Sequence, residues 1–572
     1  MIARVLPDVG AIHRVFDYLV PPELERDVAV GTMVRVTLQG RRVGGWVVAV
    51  ADEPETDRAL QPIAKVRGMG PPPALVDLTS WAAWRWAGPR ASFLGTASPP
   101  TAVRGLPPAP ARTPQPTAPV ADDLAKEALA GGRRVLRLPP ARDPFPVVFE
   151  AARLGPALVL APSVAQAAHL AMRLRRNGFA VAQHPRDWAS AAAGGSTVVG
   201  ARAAAWAPLA EPAAVVVLDE HDEGYQEERA PTWHARDVVI ERARRAGAPC
   251  ALVSPCPSLE SLATAPLVAP SRSEERAGWP VVEVVDRRKE PPGLGLFSER
   301  VVTLAREGGR LIAVLNRKGR ARLLACVSCG ELGRCEVCES AVEQTDAGTL
   351  RCRRCGAERP SVCLACGATR FRVLRAGVSK AREDLERLAG RAVAEVSAES
   401  TDAVGDAPVL VGTEAVLHRA DRADAVAFLD FDQELLAPRY RAGEQALGLL
   451  ARAARLVGGR RDGGRLVVQT RMPTHEVIDV VVHADPSRFA LVESARRAAL
   501  RLPPESAIAE ISGEAASPFV AALGNDGVSL TGPSAAGRWL ARAEDHRRLC
   551  DGLASTPRPP GRLRVAVDPL RL

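Results

Sequence analysis

The chain has 572 residues, of which 47% are hydrophobic and 25% charged, and its formal net charge is +9 at pH 7. This length is enough for about three to five domains, and the composition excludes a largely disordered chain. We find no charged-then-apolar signal segment and no apolar run of about 18 residues, so we expect a cytoplasmic protein without a membrane partner. The positive charge suits a nucleic-acid partner. Only five of the 75 basic residues are lysine, however, and this indicates that part of the arginine excess reflects coding bias.

A linker is the first feature that composition predicts. From Ser98 to Val120 proline occurs at nearly every third position and large apolar residues are few, as in an extended, polyproline-like segment. We therefore expect an N-terminal domain over 1–97 and a Pro/Ala-rich linker over 98–120. The pair Trp81 and Trp84, three residues apart on a predicted helix, is more typical of packing than of binding.

Short apolar runs alternate with helical patterns after the linker. The runs lie at 157–162, 197–199, 213–218 and 250–253. Helical patterns such as VAQAAHLAMRLRRNG separate them, and this alternation predicts a parallel α/β sheet over 121–270.

A second α/β region is predicted over 271–480, and a small C-terminal α/β domain over 481–572. Strands are expected at 408–413, 425–432 and 465–470. The sequence therefore predicts an α/β multidomain protein whose two central regions resemble the two RecA-like lobes of a motor.

The run VVVLDEHDEGY at 215–225 looks like a buried strand that ends in the Mg²⁺-binding corner of such a motor. Its acidic box is Asp219, Glu220 and His221. The box requires a phosphate-binding loop with the pattern G-K-[ST], yet no lysine of this chain is followed by Ser or Thr. The stretch RVLRLPPARDPFPVVFEAARLG, where the loop is expected, has four prolines that remove backbone donors. We therefore expect no catalytic residues here, and the sequence gives no support to ATP and Mg²⁺ as cofactors.

The strongest chemical signal is a cysteine cluster in the second lobe, in an insertion predicted over 324–370. Eight of the eleven cysteines form four C-x-x-C pairs: Cys326/Cys329, Cys335/Cys338, Cys352/Cys355 and Cys363/Cys366. A two-residue spacer lets both thiolates of a pair reach one tetrahedral ion, so four pairs predict two zinc ions per chain. Disulfides are not expected in a cytosolic chain, and redox dithiols occur singly. The other cysteines are interpreted as small apolar residues.

These motifs, taken in order, resemble the PriA family of bacterial replication restart proteins. The matching segments are VVVLDEHDEGYQ, WHARDVVIERA, SPCPSLES, LNRKGRARLLACVSCG with the cysteine quartet, and VLVGTEAV. The N-terminal run VFDYLVPPELERDVAVGTMVRVTLQGRRVGGWVV resembles the family's module that binds 3′ DNA ends. The resemblance covers nearly the whole chain, and the quartet directly after NRKG is its most specific part.

Departures from the family pattern fall on the motifs that handle nucleotide. Leu218 stands where functional relatives have the metal-binding aspartate, and the family's GSATPS reads VSPCPS at 253–258. GTQM reads GTEA at 412–415, and QVAGRAGR reads GLLARAAR at 448–455. The family's winged helix is missing, with the linker in its place. Coordinated loss of four motifs indicates a relaxed need for ATP hydrolysis.

The resemblance also implies site residues. In the family a phenylalanine, an aspartate, a glycine and a lysine receive the terminal nucleotide. Phe16, Asp17 and Gly40 match, with Arg41 and Arg42 beside them, whereas Gln61 stands at the lysine position. Phe16 and Tyr18 alone would equally suit a half-buried strand. Trp233, His234 and Arg236 fall where related motors contact single strands, although Trp233 also suits a core position.

The zinc pairing that the resemblance implies is nested. It places Cys326, Cys329, Cys363 and Cys366 on one ion, and Cys335, Cys338, Cys352 and Cys355 on the other.

The function implied is that of a primosome component that binds stalled or forked DNA and single strands and promotes reloading of the replication machinery, without helicase activity. Its partners would be the helicase-loading machinery and single-strand-binding protein, at the nucleoid. An active 3′-to-5′ ATP-dependent helicase with a divergent nucleotide site is the alternative. A zinc-ribbon DNA-binding protein unrelated to replication is a third hypothesis.

Overall fold

The computed structural model describes residues 1–10, 12, 14–56, 59–110, 122–290, 295–315, 323–345, 348–352, 354–373, 378–396, 407–524 and 527–571. Contacts divide the chain into two units, which are treated separately below. The first unit contains Met1–Leu136, Pro144–Ala269 and Ser494–Leu570, and the second contains Arg137–Asp143 and Pro270–Glu493 with the last two residues.

The N-terminal part of the first unit is a five-stranded antiparallel sheet of order β2-β1-β4-β3-β5. Its strands are β1 (Ile2–Pro7), β2 (Phe16–Leu19), β3 (Met33–Leu38), β4 (Arg41–Ala51) and β5 (Lys65–Gly68). Gln39 and Gly40 connect β3 to β4 with φ of 49° and 77°, as a two-residue hairpin turn requires. Val5, Tyr18 and Val47 belong to the core beneath the sheet, and helices α1 (Pro73–Arg85) and α2 (Arg90–Ala97) follow it.

The first lobe has a seven-stranded sheet of order β12-β6-β11-β10-β7-β9-β8. Its elements are α3 (Asp123–Ala128), β6 (Arg133–Arg137), α4 (Phe145–Leu154), β7 (Ala157–Leu160), α5 (Val164–Arg176), β8 (Val181–Gln183), α6 (Trp188–Ala192), β9 (Thr197–Gly200), β10 (Ala214–Leu218), α7 (Ala235–Ala246), β11 (Cys250–Ser254), α8 (Leu259–Thr264) and β12 (Leu267–Val268). Strand β10 pairs in parallel with β7 and β11, and all its residues are buried, which explains its continuous apolar run.

The second unit contains the second lobe, a six-stranded sheet of order β13-β23-β22-β14-β21-β20. Before the insertion lie α9 (Arg272–Ala277), β13 (Val281–Asp286), α10 (Glu299–Arg306) and β14 (Leu311–Val314). The insertion contains β15 (Leu324–Cys326), β16 (Val342–Gln344), β17 (Thr349–Cys352), β18 (Glu358–Pro360) and β19 (Phe371–Val373). After it come α11 (Val378–Ala389), β20 (Val393–Val396), β21 (Val409–Gly412), α12 (Ala415–Arg419), β22 (Ala425–Phe428), α13 (Asp432–Leu435), α14 (Ala442–Val457), β23 (Arg465–Thr470) and α15 (Glu476–His483). The ladders from β13 through β23, β22, β14 and β21 to β20 are parallel.

Helix α16 (Pro486–Leu500) leads back to the first unit, which ends in a four-stranded antiparallel sheet of order β25-β26-β24-β27. The C-terminal elements are β24 (Ala507–Ser512), α17 (Ala516–Ala522), β25 (Val528–Thr531), β26 (Trp539–Ala543), α18 (His546–Ser555) and β27 (Arg564–Val567). Side chains of this sheet share one core with α1 and the first lobe. Arg85 at the end of α1 pairs with Asp568 at 2.8 Å, and the carboxylate also accepts from His546.

The α/β multidomain architecture predicted from the sequence is confirmed, with an N-terminal β module, two parallel lobes and a cysteine-rich insertion in the second. The domain boundaries stay predictions. No described helix is long and apolar enough to cross a membrane. Residues 99–110 of the predicted linker form no helix or strand, although Val103 makes an isolated bridge to Met69. Residues 111–121 and the NRKG motif lie outside the described residues.

Candidate functional site

The acidic box of the first lobe is closed by its own chain. Strand β10 ends at Leu218, and the side chain of Glu220 two residues later is fully buried. Its carboxylate contacts the backbone N–H of Ser258 at 2.7 Å, the hydroxyls of Ser258 and Ser261 at 2.8 and 2.7 Å, and Arg236 Nη1 at 3.0 Å. Asp219 is held in a left-handed conformation at φ 48°. The box thus has its acidic group turned into the core.

The ionisation of Glu220 follows from these contacts. Burial by itself would raise the pKa of this carboxyl, but the Arg236 guanidinium and hydrogen bonds from Ser261 and Ser258 outweigh it, and the pKa is lowered. An ionised carboxylate offers about four acceptor positions, and four donors lie within 3.0 Å of this one. Three of these donors contact Oε2 and one contacts Oε1, and the side chain is fully buried, so Glu220 is held by its own chain and not exposed to solvent.

The neighbours of Glu220 are also engaged within the chain. His221 Nδ1 lies 2.8 Å from the hydroxyl of Ser254 at the end of β11, and Tyr225 donates from its phenol to Leu218 O at 2.6 Å. Asp222 accepts from Gly224 N at 2.7 Å. These contacts shape a turn and connect two parallel strands, which are structural tasks.

Residues 137–143 belong to the second unit. They lie in the stretch where a motor would have its phosphate-binding loop. Arg137 Nε bonds Glu275 Oε2 at 2.8 Å, and Trp279 donates to the other oxygen of Glu275 at 3.0 Å. Ala141 N donates to Gly278 O at 3.1 Å, so this amide points at protein and not at an anion site. A cavity of about 300 Å³ borders the segment, but Arg142 and Arg461 are balanced there by Glu274 and Asp462. The lining lacks the positive excess that triphosphate binding requires.

The three residues predicted to contact single strands occupy unequal positions. Trp233 is 5% exposed and packs edge-on against Trp206 at 5.9 Å. Arg236 is the buried partner of Glu220. His234 caps α7, since its Nδ1 accepts from Arg236 N at 3.2 Å. DNA contact by these three residues stays a prediction. Trp233 and Arg236 are buried, so DNA would reach their side chains only after a rearrangement of this region.

The four cysteine pairs converge into two tetrads with the nested pairing. In each tetrad all four sulfurs lie within 4.8 Å of one another, and the groups are Cys326, Cys329, Cys363, Cys366 and Cys335, Cys338, Cys352, Cys355. The closest sulfurs are 3.6 Å apart in the first group and 3.5 Å apart in the second. None of these cysteines is in a disulfide. The two groups have the composition that the nested pairing predicts, and their occupation by zinc stays a prediction.

Each pair is shaped by the same backbone turn. The amide four residues after the first cysteine donates to that cysteine's carbonyl, at Gly330, Glu339, Gly356 and Gly367. All four of these residues have positive φ, between 57° and 77°. Glycine adopts this conformation without strain, which explains the glycines after three pairs. Glu339 has a Cβ atom, so this conformation costs it free energy relative to glycine.

The tetrads fit a tetrahedral metal ion. Four sulfurs about 2.3 Å from one zinc would be about 3.8 Å apart, close to the separations found here. Val337 N also lies 3.4 Å from Cys335 Sγ, as a donor that stabilises a thiolate. Two Cys₄ groups able to hold metal are therefore present. A zinc ion in each would supply the cross-link that holds these short strands.

The residues predicted for DNA-end binding lie in the N-terminal sheet. Phe16 is half-buried, and the guanidinium of Arg14 lies 4.5 Å from its ring centroid. Asp17 Oδ2 accepts from Glu55 N at 2.6 Å. Gln61, at the family's lysine position, lies beside β2 because its carbonyl accepts from Leu19 N at 3.0 Å.

The rest of the predicted set is at the β3–β4 turn. Gly40 has open space where a Cβ would be, and Arg41 and Arg42 are exposed. No hydrogen bond or ion pair joins these three to Phe16 or Asp17 in the part of the chain that is described.

Sequence reasoning missed a second buried carboxylate, Asp432 after β22. It accepts from Thr470 Oγ1 and from Arg471 N, at 3.0 Å for its Oδ2. Burial and the nearby Asp430 raise its pKa to about 6. The signal available was the pattern FLDFD, in which acidic residues follow a buried strand as they do at the first box. Ser258 and Ser261, the donors to Glu220, carried no signal of their own.

The fold and the sites define a class: a two-lobed RecA-like α/β protein with a two-tetrad cysteine insertion and an N-terminal β module. The family model for the PriA 3′ DNA-binding domain matches residues 4–99. The probable replication restart protein PriA of Mycobacterium bovis is 28% identical over 89% of this chain and 86% of its own length. The chain is therefore similar to the PriA family in its N-terminal module and, at 28% identity, over most of its length.

Two further similarities are more limited. The replication restart protein PriA of Bacillus subtilis is 27% identical over 61% of this chain, which spans about half (48%) of that relative's length. Among solved structures, the Escherichia coli DExH-box NTPase HrpB has a TM-score of 0.32 at 13% identity, covering 63% of this chain and 43% of that one. A likeness this low supports no inference about function.

Proposed function

We propose that this chain is a replication restart protein that binds forked and single-stranded DNA and acts without hydrolysing ATP. The observation that carries the proposal is Glu220, whose fully buried carboxylate is held by four donors of its own chain. Phosphoryl transfer depends on positioned charge around the phosphates. A box in this state, together with a sequence that has no G-K-[ST], does not supply it.

DNA recognition is assigned to the N-terminal sheet. The match to the family's 3′ DNA-binding domain supports this assignment. Phe16 would stack on the terminal base, and Asp17 would accept a hydrogen bond from the free 3′-OH. Arg41 and Arg42 would contact phosphates.

The cysteine tetrads are assigned to two zinc ions, as cross-links of an insertion whose own hydrophobic cluster, around Leu324, Val342 and Leu350, is small. By resemblance, the helicase-loading machinery and single-strand-binding protein would be partners. The protein would act in the cytoplasm, at the nucleoid. With both lobes retained but the box closed, the lobes would serve as a platform for DNA and partners.

ATPase activity with forked DNA tests the absence of turnover. We expect no hydrolysis above that of the matched variant Glu220→Gln. Turnover that DNA stimulates and that a Glu220→Gln protein lacks, while its tryptophan fluorescence shows that it is folded, would favour the alternative, a working helicase with a divergent site.

End recognition is tested by fluorescence anisotropy on forks whose leading-strand end carries a 3′-OH or a 3′-phosphate. We expect tighter binding to the 3′-OH fork and loss of that preference in Asp17→Ala. Equal affinity for both forks, unchanged in the variant, would contradict end recognition.

A further inference from the structure

Two residues, Arg4 and Glu55, contact the carboxylate of Asp17, and neither belongs to the family motif. Arg4 is the cross-strand neighbour of Asp17 in the β1–β2 ladder. Its Nε lies 3.7 Å from Asp17 Oδ1, and its Nη1 lies 2.7 Å from Glu55 Oε1. Glu55 also donates its backbone N–H to the other oxygen of Asp17 at 2.6 Å. A guanidinium is thus built into the place where the terminal nucleotide is expected.

The lysine that the family uses at this pocket is replaced by the neutral Gln61, so a cation for the nucleotide's phosphate must come from elsewhere. Arg4 is well placed, because its position opposite Asp17 is set by the strand register. Its Nε is a buried donor without a hydrogen-bond partner among the described residues. A guanidinium with a spare N–H matches a phosphate, which accepts two parallel hydrogen bonds from one arginine.

Glu55 is the weakly held member of the group. Its side chain is 71% exposed, whereas that of Asp17 is 6% exposed. An ion pair with one partner in solvent contributes little, so a phosphate can replace the Glu55 carboxylate without much loss. The local charge supports the exchange. Arg4 and Arg14 balance Asp17 and Glu55, and displacement of Glu55 leaves one positive charge in excess.

We propose that Arg4 binds the phosphate of the 3′-terminal nucleotide, and that Glu55 is an internal carboxylate that this phosphate displaces. This inference rests on the proposed function of the N-terminal sheet and adds a specificity residue outside the family's motif. It makes opposite predictions for the two side chains. Loss of Arg4 weakens end binding, and loss of the Glu55 charge strengthens it.

The test uses the full chain with its metal and fluorescence anisotropy on two DNAs: a fork with a free 3′-OH leading-strand end, and a plain duplex of equal length. The variants are Arg4→Met, Glu55→Gln and the matched control Arg26→Met, which removes an exposed charge of the same domain away from the pocket. We expect Arg4→Met to weaken fork binding roughly tenfold, as for one lost charge-assisted hydrogen bond, with little effect on duplex. The slope of log affinity against log salt should fall in magnitude by about 0.7 to 0.9.

Glu55→Gln should tighten fork binding about two- to fivefold, in line with release of one exposed ion pair. Because this side chain is exposed, the variant folds even if Arg4→Met does not, and weaker or unchanged fork binding would overturn the proposal. The proposal would also be overturned if the wild type prefers the fork but Arg4→Met loses no more fork affinity, relative to duplex, than Arg26→Met does. A wild type without preference for the free end would instead overturn the proposed function, and the inference with it.

Discussion

The acidic box after β10 and the cysteine-rich insertion each gather several ionisable groups within a few ångströms, but they balance charge differently. Glu220 has its cation, Arg236, and its hydroxyl donors within the chain. The eight thiols form two tetrads, and in each the four sulfurs lie within 4.8 Å of one another. The first arrangement is closed by contacts within the chain, whereas the second offers four thiols to one ion in each tetrad. A cluster of ionisable groups can therefore be satisfied by its own neighbours or left open to an external ion.

The largest expected effect concerns metal in the insertion. Structural zinc contributes roughly 10 to 16 kcal/mol in small zinc domains, so chelation should unfold residues 323–373. Metal analysis should give two zinc ions per chain. Cys326→Ser combined with Cys363→Ser should lose one ion, and Cys326→Ser combined with Cys335→Ser should lose both.

Cys256→Ala is the matched control for these variants, because this buried cysteine lies outside both tetrads. It should keep both ions. One zinc per wild-type chain, or equal losses in the two double variants, would contradict the nested assignment.

The second effect tests whether Glu220 is structural. Glu220→Gln removes the carboxylate that contacts Arg236 Nη1 but leaves Asp237, 3.2 Å from Arg236 Nε, so we expect a loss below the about 3 to 5 kcal/mol of breaking an isolated buried pair. We expect the midpoint of denaturant unfolding to move to a lower denaturant concentration. The fluorescence of the buried tryptophans of the first lobe would follow the transition.

The exposed Glu228→Gln serves as control and should change stability by less than about 0.5 kcal/mol. The double variant Glu220→Leu with Arg236→Met should recover most of the loss, because it removes both charges. A Glu220→Gln protein as stable as the wild type would show that the box is not held as described.

The third effect compares the two buried carboxylates. The pKa of Asp432 is raised to about 6 from an ordinary 3.8. Between these two pH values the carboxyl is protonated in the folded protein and ionised in the unfolded chain. Its contribution is complete below pH 3.8 and disappears as pH rises through 6, a change of up to about 2 to 3 kcal/mol. The lowered pKa of Glu220 has the opposite sign, and its contribution is lost as pH falls.

Asp432→Asn should therefore flatten the stability profile of the second unit between pH 4 and pH 7. The measurement is denaturant unfolding of wild type and variant at matched pH values, and the difference curve isolates this group. Parallel curves would show that Asp432 ionises normally.

The smallest effect lies in the second cysteine pair. Glu339 has φ 57° where the other three pairs have glycine, so Glu339→Gly should stabilise the insertion by up to about 1 kcal/mol. Gly367→Ala is the matched change in the opposite direction and should destabilise it. Resistance of bound zinc to a chelator reports both, and a Glu339→Gly protein that loses zinc faster would contradict the strain.

The sequence alone determined the elements whose signals are local. The buried strand β23 lies at 465–470 as predicted, and β10 lies within the predicted run at 213–218. A strand buried on both faces of a parallel sheet is a continuous apolar run, and this signal can be read without knowing which strands pair with it. The two-residue spacing in each cysteine pair is likewise a local constraint. The nested pairing came from the family resemblance, since spacing by itself leaves several pairings open.

Only the tertiary structure decided which charges meet. Glu220 and Ser258 are 38 residues apart, and Arg85 and Asp568 are 483 apart, so no periodicity links them. The sequence shows that the acidic box has no phosphate loop. Only the fold shows that the Glu220 carboxylate is held by Ser258, Ser261 and Arg236, the last of which was predicted to contact DNA. Arg4 shows the same limit at the end pocket. Its role depends on the register of β1 against β2, which is set by the packing of a whole sheet and not by its neighbours in the chain.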